Sequence, residues 1–380
     1  MSKLINFTKV NPLSKKEDFK IKNEIFASVQ NNDFILGKAV NIFENQFSKF
    51  SKNKYSVSCA SGTDALILSL MVLGLKKDDE VIVPGLTYVS TGFSVLLNNN
   101  KLVLVDIDND TGLLAIEKIK KKITTNTKAI IPVNLYGQKI DLLTLRKAVG
   151  KKIYIIEDSA QSHFAFNCNN CSRFSINKCC KKLRRENYAD ISCYSFYPAK
   201  NLGAYGDGGL MTTNKMKIYK KLLALRNLGS TKKHQHLLLG KNSRLDTIQA
   251  IVLKNKLKSV FKLNEKRRKI AQFYDENLKK IKQITLTKTN QGSSRHLYVI
   301  RTKERDNLIN YLSKKKILCQ IHYPYSLNGL IPVRKKIKKI YLKNSEKWAK
   351  ECMSLPMHPN LLKNEIYRIV NEIENYFEYK

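Results

Sequence analysis

The sequence predicts an α/β protein, with a large domain built on a mostly parallel sheet and a smaller α+β unit at the C-terminal end. Three observations carry this. Short, continuously apolar runs such as Val81-Ile-Val-Pro and Ala129-Ile-Ile-Pro-Val alternate with segments of helical spacing, as in a sheet covered on both faces. The chain has 380 residues, more than one small core accommodates. Beyond a long helical pattern that begins at Asp246, the alternation changes to two strands, a helix and a closing helix.

Taken in order, residues 1–20 read as an N-terminal arm. Asn23 to Phe47 has helical spacing with a turn near Leu36-Gly37, and a strand follows around Tyr55 to Cys59. The strands Val81–Pro84, Lys101–Asp106, Ala129–Val133 and Lys152–Asp158 are separated by helical stretches such as Leu114 to Ile123 and Asp141 to Val149. Apolar residues at helical spacing between Asp246 and Ile281 predict a long helix, broken near Lys262 to Glu265. His296–Arg301 and Ile317–Ile321 read as strands, Glu304–Lys315 and Glu365–Tyr376 as helices. These readings divide the chain into an arm (1–20), a large domain (21–255, with an insertion at about 166–185) and a small domain (256–380).

Composition narrows the function classes. Hydrophobic residues make up 43% and charged residues 26%, the balance of a folded globular chain rather than a disordered one. The longest apolar run, Ala65 to Leu75, is interrupted by Ser69 and Gly74 and is too short to span a bilayer. With no signal-peptide core at the start, a cytoplasmic protein without membrane partners is expected. The net charge is +38, but the lysines are spread along the chain and no nucleic-acid-binding motif accompanies them. Solvated lysine-rich faces are expected, with no nucleic-acid partner. The positive field favours an anionic substrate.

Three segments carry candidate chemistry. Ser61-Gly62-Thr63-Asp64 follows a strand and opens a helix, where backbone N–H groups face outward and can bind phosphate. The same residues also read as an ordinary helix cap. Asp158 ends an apolar strand, where a carboxylate is costly to bury without a cation. A protonated pyridine nitrogen is such a cation, and a helix cap is the plain alternative. Lys200 sits after a strand and before a glycine-rich turn, in an aromatic and weakly charged neighbourhood. A partly desolvated lysine loses its proton readily and attacks carbonyls. Ser195, five residues earlier, can offer a hydroxyl to phosphate. The order of phosphate cup, strand-end Asp and Lys suggests a pyridoxal phosphate (PLP) enzyme of fold type I.

The sequence resembles the DegT/DnrJ/EryC1/StrS family of sugar aminotransferases over nearly its whole length. The resemblance is carried by Phe34-Ile-Leu-Gly-Lys, Ser61-Gly-Thr-Asp-Ala-Leu, Asn134-Leu-Tyr-Gly-Gln, Glu157-Asp-Ser-Ala-Gln, Tyr194-Ser-Phe-Tyr-Pro-Ala-Lys-Asn-Leu-Gly, Gly206-Asp-Gly-Gly, Asn242-Ser-Arg-Leu-Asp, Ile321-His-Tyr-Pro and Leu355-Pro-Met-His-Pro. It implies PLP as cofactor, Lys200 as the Schiff-base lysine, Asp158 as partner of the pyridine nitrogen and Gln161 near the phenolic oxygen. It further implies Gly62, Thr63 and Ser195 as the phosphate cup and Tyr88 as the aromatic stacked on the ring. Asn242 would reach the phosphate in the other subunit of a homodimer with shared active sites. His322 and Tyr323 would line the channel for a keto-sugar nucleotide, the acceptor of an amino group from L-glutamate. The residues around Lys200 look most like branches aminating C3 rather than C4 of dTDP- or UDP-linked keto-deoxysugars. A cyclitol aminotransferase and a basic regulator on the same fold are the rival readings. Lys200 itself argues against the relatives that carry histidine there and dehydrate.

One stretch departs from the family. The chain is longer than usual between Asp158 and Lys200, and Phe164 stands where a glycine is usual. The extra residues hold Cys168, Cys171, Cys179 and Cys180 among Lys181, Lys182, Arg184 and Arg185. Four thiols can bind zinc, but the adjacent pair suits a small tetrahedral site poorly. A peripheral loop of free thiols, without a metal, is expected.

Overall fold

The computed structural model describes residues 3–10, 13–166 and 188–378. Its centre is a seven-stranded sheet of β1 (Tyr55–Cys59), β2 (Glu80–Pro84), β3 (Lys101–Val105), β4 (Thr127–Ile130), β5 (Tyr154–Asp158), β6 (Ile191–Ser195) and β7 (Gly209–Thr213), in the spatial order β1-β7-β6-β5-β4-β2-β3. The pairs β2–β3, β2–β4, β4–β5 and β5–β6 are parallel. Only β7 runs against its neighbours, β6 and β1. The sheet is thus mostly parallel, as expected for strands whose side chains are apolar on both faces. Fully buried runs such as Glu80–Pro84 and Gly209–Thr213 follow from that double cover.

Local chemistry starts and stops the helices. Helix α1 (Lys15–Gln30) opens on Ser14, whose hydroxyl accepts from the Glu17 N–H while the Glu17 carboxylate returns to the Ser14 N–H, a reciprocal cap. Helix α2 (Lys38–Ser51) begins after Gly37, at the predicted turn. Helix α3 (Gly62–Met71) opens on Ser61 and is buried from Ala65 through Leu70, so it must lie between the sheet and other helices. The long helical pattern divides at a 3-10 turn over Leu257–Ser259, between helices Thr247–Lys256 and Val260–Leu278. That is a few residues earlier than the spacing suggested, because Val260 to Leu278 keeps one buried stripe throughout.

Toward the C-terminus, strands Thr285–Leu286, Tyr298–Arg301 and Cys352–Leu355 form an antiparallel sheet. Helices Val260–Leu278, Arg305–Lys314 and Lys363–Glu378 share an apolar cluster with it. The segment Ile317–Ile321 makes only isolated bridges, Ile317 to Ile5 and Gln320 to Ser354. Ile5 is buried in the same cluster, so the beginning of the chain is tied to this C-terminal unit. Phe164 has φ +57°, a conformation in which a Cβ is strained and glycine is at ease. Its ring lies 5.2–5.9 Å from those of Phe47, Phe50 and Phe261, and burial of that aromatic cluster offsets the strain. Among the described residues no helix is long and apolar enough to cross a membrane.

Candidate active site

Strand directions bring the candidate residues to one edge of the sheet. Because β5 and β6 are parallel and β7 reverses between β6 and β1, the C-terminal ends of β1, β5 and β6 coincide. The register is direct: Gly209 faces Cys59 on one side and Ser195 on the other, and Asp158 pairs with Cys193. A Cβ on Gly209 would lie 2.1 Å from the Ser61 carbonyl oxygen, so glycine there lets the turn into α3 cross the sheet edge. A Cβ on Gly62 would lie 2.5 Å from Ser195 Cβ. The two halves of the predicted cup therefore touch.

Ser61, Gly62 and Thr63 open α3, and Ser61 Oγ accepts from the Asp64 N–H at 3.0 Å. Asp64 would oppose an anion at this terminus, but Lys241 at 2.5 Å and Ser243 at 2.7 Å engage its carboxylate. Thr63 Oγ1 lies 2.7 Å from Ser90 Oγ. The cup so formed presents hydroxyls and the amides of a helix start, the donor set a phosphate needs. Gly62→Ala is expected to weaken PLP binding at least about tenfold by pushing Ser195 out of the cup, as fluorescence titration of the cofactor-free protein would show.

Adjacent carboxylates on β5 have separate fates because side chains alternate along a strand. Glu157 turns to a polar cluster of Ser192, Asn134 and Lys139, which holds it ionised against its burial. Asp158 turns to the cavity. Its Oδ1 accepts from the Ala160 N–H at 3.1 Å and its Oδ2 from Thr91 Oγ1 at 2.9 Å. Burial raises its pKa, opposed by those two donors and by the Lys200 charge. Burial pushes the Lys200 ammonium down to about 8, opposed by Asp158. Desolvation thus drives both groups toward their neutral forms, and each group's charge pulls the other back.

The opposite wall comes from distant segments. Gln161 accepts from the Tyr136 N–H at 2.7 Å and donates from Nε2 to the Tyr323 hydroxyl at 2.8 Å. Tyr88 stands 5.7 Å from Tyr323, ring to ring, and is 55% exposed, leaving a face free. His322 is held at Nδ1 by Ser354 Oγ at 2.9 Å, and Phe7 stacks on it at 5.7 Å.

Nine of the ten predicted site residues line one cavity of about 530 Å³: Gly62, Thr63, Tyr88, Asp158, Gln161, Ser195, Lys200, His322 and Tyr323. Asn242 does not; it is exposed and bridged to Asn227. Cys168, Cys171, Cys179 and Cys180 lie outside the described residues. Sequence reasoning missed Phe7, Thr8, Arg267 and His296, which also line the cavity, and Thr91 behind Asp158. For Thr91 a signal was available: it follows Thr87 by one helical turn, on the Tyr88 side of α4 (Val89–Leu97). For Phe7 none was, because long-range contacts such as the pairing of Ile5 with Ile317 bring it there.

These groups fit PLP. An amine of depressed pKa, a buried carboxylate lining the cavity, a cup of hydroxyls at a helix start and a free aromatic face are what its aldehyde, ring nitrogen, phosphate and ring require. Comparison with known proteins agrees. Residues 15–374 match the model of the DegT/DnrJ/EryC1/StrS aminotransferase family. A Pseudomonas aeruginosa UDP-2-acetamido-2-deoxy-3-oxo-D-glucuronate aminotransferase is 37% identical, over 91% of this chain and 94% of its own. A Geobacillus stearothermophilus protein described as a pleiotropic regulatory protein is 34% identical, over 96% and 95%. The crystal structure of S. venezuelae DesV in complex with a ketimine intermediate superposes with a TM-score of 0.92 at 30% identity, covering 99% of each chain. With the cavity, the strand-end acid and the lysine in one place and the match running through both units, the chain belongs to the DegT/DnrJ/EryC1/StrS aminotransferase family and is a PLP-dependent sugar aminotransferase.

Proposed function

We propose that this enzyme moves an amino group from L-glutamate to C3 of a keto-sugar nucleotide, with Lys200 as the cofactor lysine. The observation that carries the lysine assignment is that Lys200 is the one lysine among the described residues lining the cavity that also holds Asp158 and the cup. When bound, PLP supplies an electron sink for charge at the amino-bearing carbon. The Lys200 amine, its pKa lowered by burial, would hold the cofactor and carry the proton to and from that carbon. Asp158 would hold the proton on the ring nitrogen, and Gly62, Thr63 and Ser195 would hold the phosphate. Gln161, held by Tyr136 and Tyr323, would face the bound ring's phenolic oxygen, and Tyr88 would offer its free face to the ring. His322 and Tyr323 border the sugar.

The C3 and nucleotide preferences rest on the P. aeruginosa relative, whose name specifies a UDP-linked 3-oxo sugar, and on the residues around Lys200. The test is incubation of purified enzyme and glutamate with a panel of UDP- and dTDP-linked 3-keto and 4-keto sugars, with mass spectrometry of the products. A 3-amino product is expected. Exclusive conversion of 4-keto sugars, or of a free cyclitol ketone, would overturn the assignment.

Asn242 is assigned to the partner's site in a homodimer. Its exposure supports this, as do Leu228, Leu237 and Leu239, exposed at 47%, 73% and 91% beside it, a patch that a monomer would leave in water. Mixing Lys200→Ala with Asn242→Ala subunits under exchange is expected to restore activity above that of either parent, because some heterodimer sites carry neither change. Exchange without recovery would refute a shared site.

A further inference from the structure

Asp158 is not aimed by its own strand alone. Thr91 Oγ1 lies 2.9 Å from Asp158 Oδ2, and Thr87 Oγ1 lies 3.0 Å from Thr91 Oγ1. Both threonines are buried, at 0% and 2% exposure. An ionised carboxylate only accepts, so the directions follow. Thr91 donates to Asp158, and Thr87 donates to Thr91. With the Ala160 N–H on Oδ1, each carboxylate oxygen receives one donor from the protein. Asp158 also lines the cavity.

From this geometry we infer that Thr91 is a positioning residue for the reaction: its hydroxyl, polarised by Thr87, orients the Asp158 carboxylate and keeps it a weak enough base to leave the proton on the cofactor's ring nitrogen. The inference rests on the assignment of Lys200 and Asp158 above. A charge-assisted hydrogen bond is among the stronger kinds, and donors in a chain polarise one another. Without the Thr91 proton, Asp158 becomes more basic and draws the ring proton toward itself. The ring then carries less positive charge and withdraws less from the nitrogen that Lys200 contributes, so that nitrogen holds its proton to higher pH.

The experiment is a pH titration of the visible absorbance of the PLP-loaded enzyme, for the unmodified protein, Thr91→Val and Thr91→Ser. Valine keeps the shape and removes the hydroxyl; serine keeps the hydroxyl. In Thr91→Val the midpoint is expected to rise by about 0.5–1 pH unit and turnover with glutamate to fall about tenfold. Thr91→Ser is expected to restore the midpoint to within about 0.2 unit of the unmodified protein. A Thr91→Val midpoint equal to that of the unmodified enzyme would overturn the inference. So would a serine variant that behaves like the valine one, since the methyl group and not the hydroxyl would then matter. Absence of the visible band in the unmodified, PLP-treated protein would instead sink the Lys200 assignment beneath it, so the two failures are distinguishable.

Discussion

Replacing Lys200 by alanine is expected to leave a folded protein and to lower transamination by about four orders of magnitude, the largest effect of any single change. One side chain would supply both the covalent attachment and the proton transfer. The fold should survive because Lys200 extends from a loop into a cavity rather than into an apolar cluster. Borohydride treatment of the unmodified enzyme should fix the cofactor to a peptide containing Lys200, and a label on any other peptide would refute the role. The pH dependence follows from the depressed pKa. Only the neutral amine attacks an aldehyde, and the neutral fraction rises with pH up to the pKa. With the ammonium at about 8, the rate of PLP capture by cofactor-free protein should climb tenfold per pH unit below about pH 8 and level off above it. An ordinary lysine would keep climbing two units further, and that result would show that burial does not activate Lys200.

The second large effect is expected at Asp158. Asp158→Asn keeps the size of the side chain, but a neutral amide does not hold a proton on a ring nitrogen. Turnover should fall about 10²- to 10³-fold, while the apparent affinity for the sugar changes little, because the lost interaction matters mainly in the transition state. The same change removes the carboxylate that opposes the depression of the Lys200 pKa. The plateau of cofactor capture should therefore move below pH 8. Wild-type turnover in this variant, measured at saturating glutamate, would rule out the role, and an unmoved plateau would show that the two groups do not sense each other.

Much of the candidate site is legible in the sequence because its parts are local. A phosphate cup needs a helix start, and Ser61-Gly-Thr-Asp announces one through its capping chemistry. A carboxylate closing an apolar strand is conspicuous because its burial demands a partner. The parallel strands were legible for the same reason: buried on both faces, β2 carries the continuous run Val81 to Pro84, and β4 ends in the apolar Ala129-Ile130. The direction of β7 was not, since Gly209–Thr213 is apolar whether it runs with β6 or against it. Nor did the spacing distinguish a strand from isolated bridges at Ile317–Ile321, where pairing depends on Ile5 and Ser354.

By itself the sequence marked out the separate candidate parts: the lysine, the acid, the helix start proposed as the cup, and the alternation that orders them. Only the tertiary structure decided that Gly209 must be glycine because a backbone crosses there and Gly62 because the Ser195 side chain packs against it, that Glu157 turns away while Asp158 faces the cavity, and that Thr91 and Phe7 adjoin the candidate site. It also decided that Asn242 stands outside the cavity of its own chain. The physical reason is range. Capping, periodicity and the cost of burying a charge act within a few residues, and the sequence records them. Contacts such as those between Thr91 and Asp158, 67 positions apart, or between Phe7 and His322 depend on how whole elements pack, which no local pattern specifies.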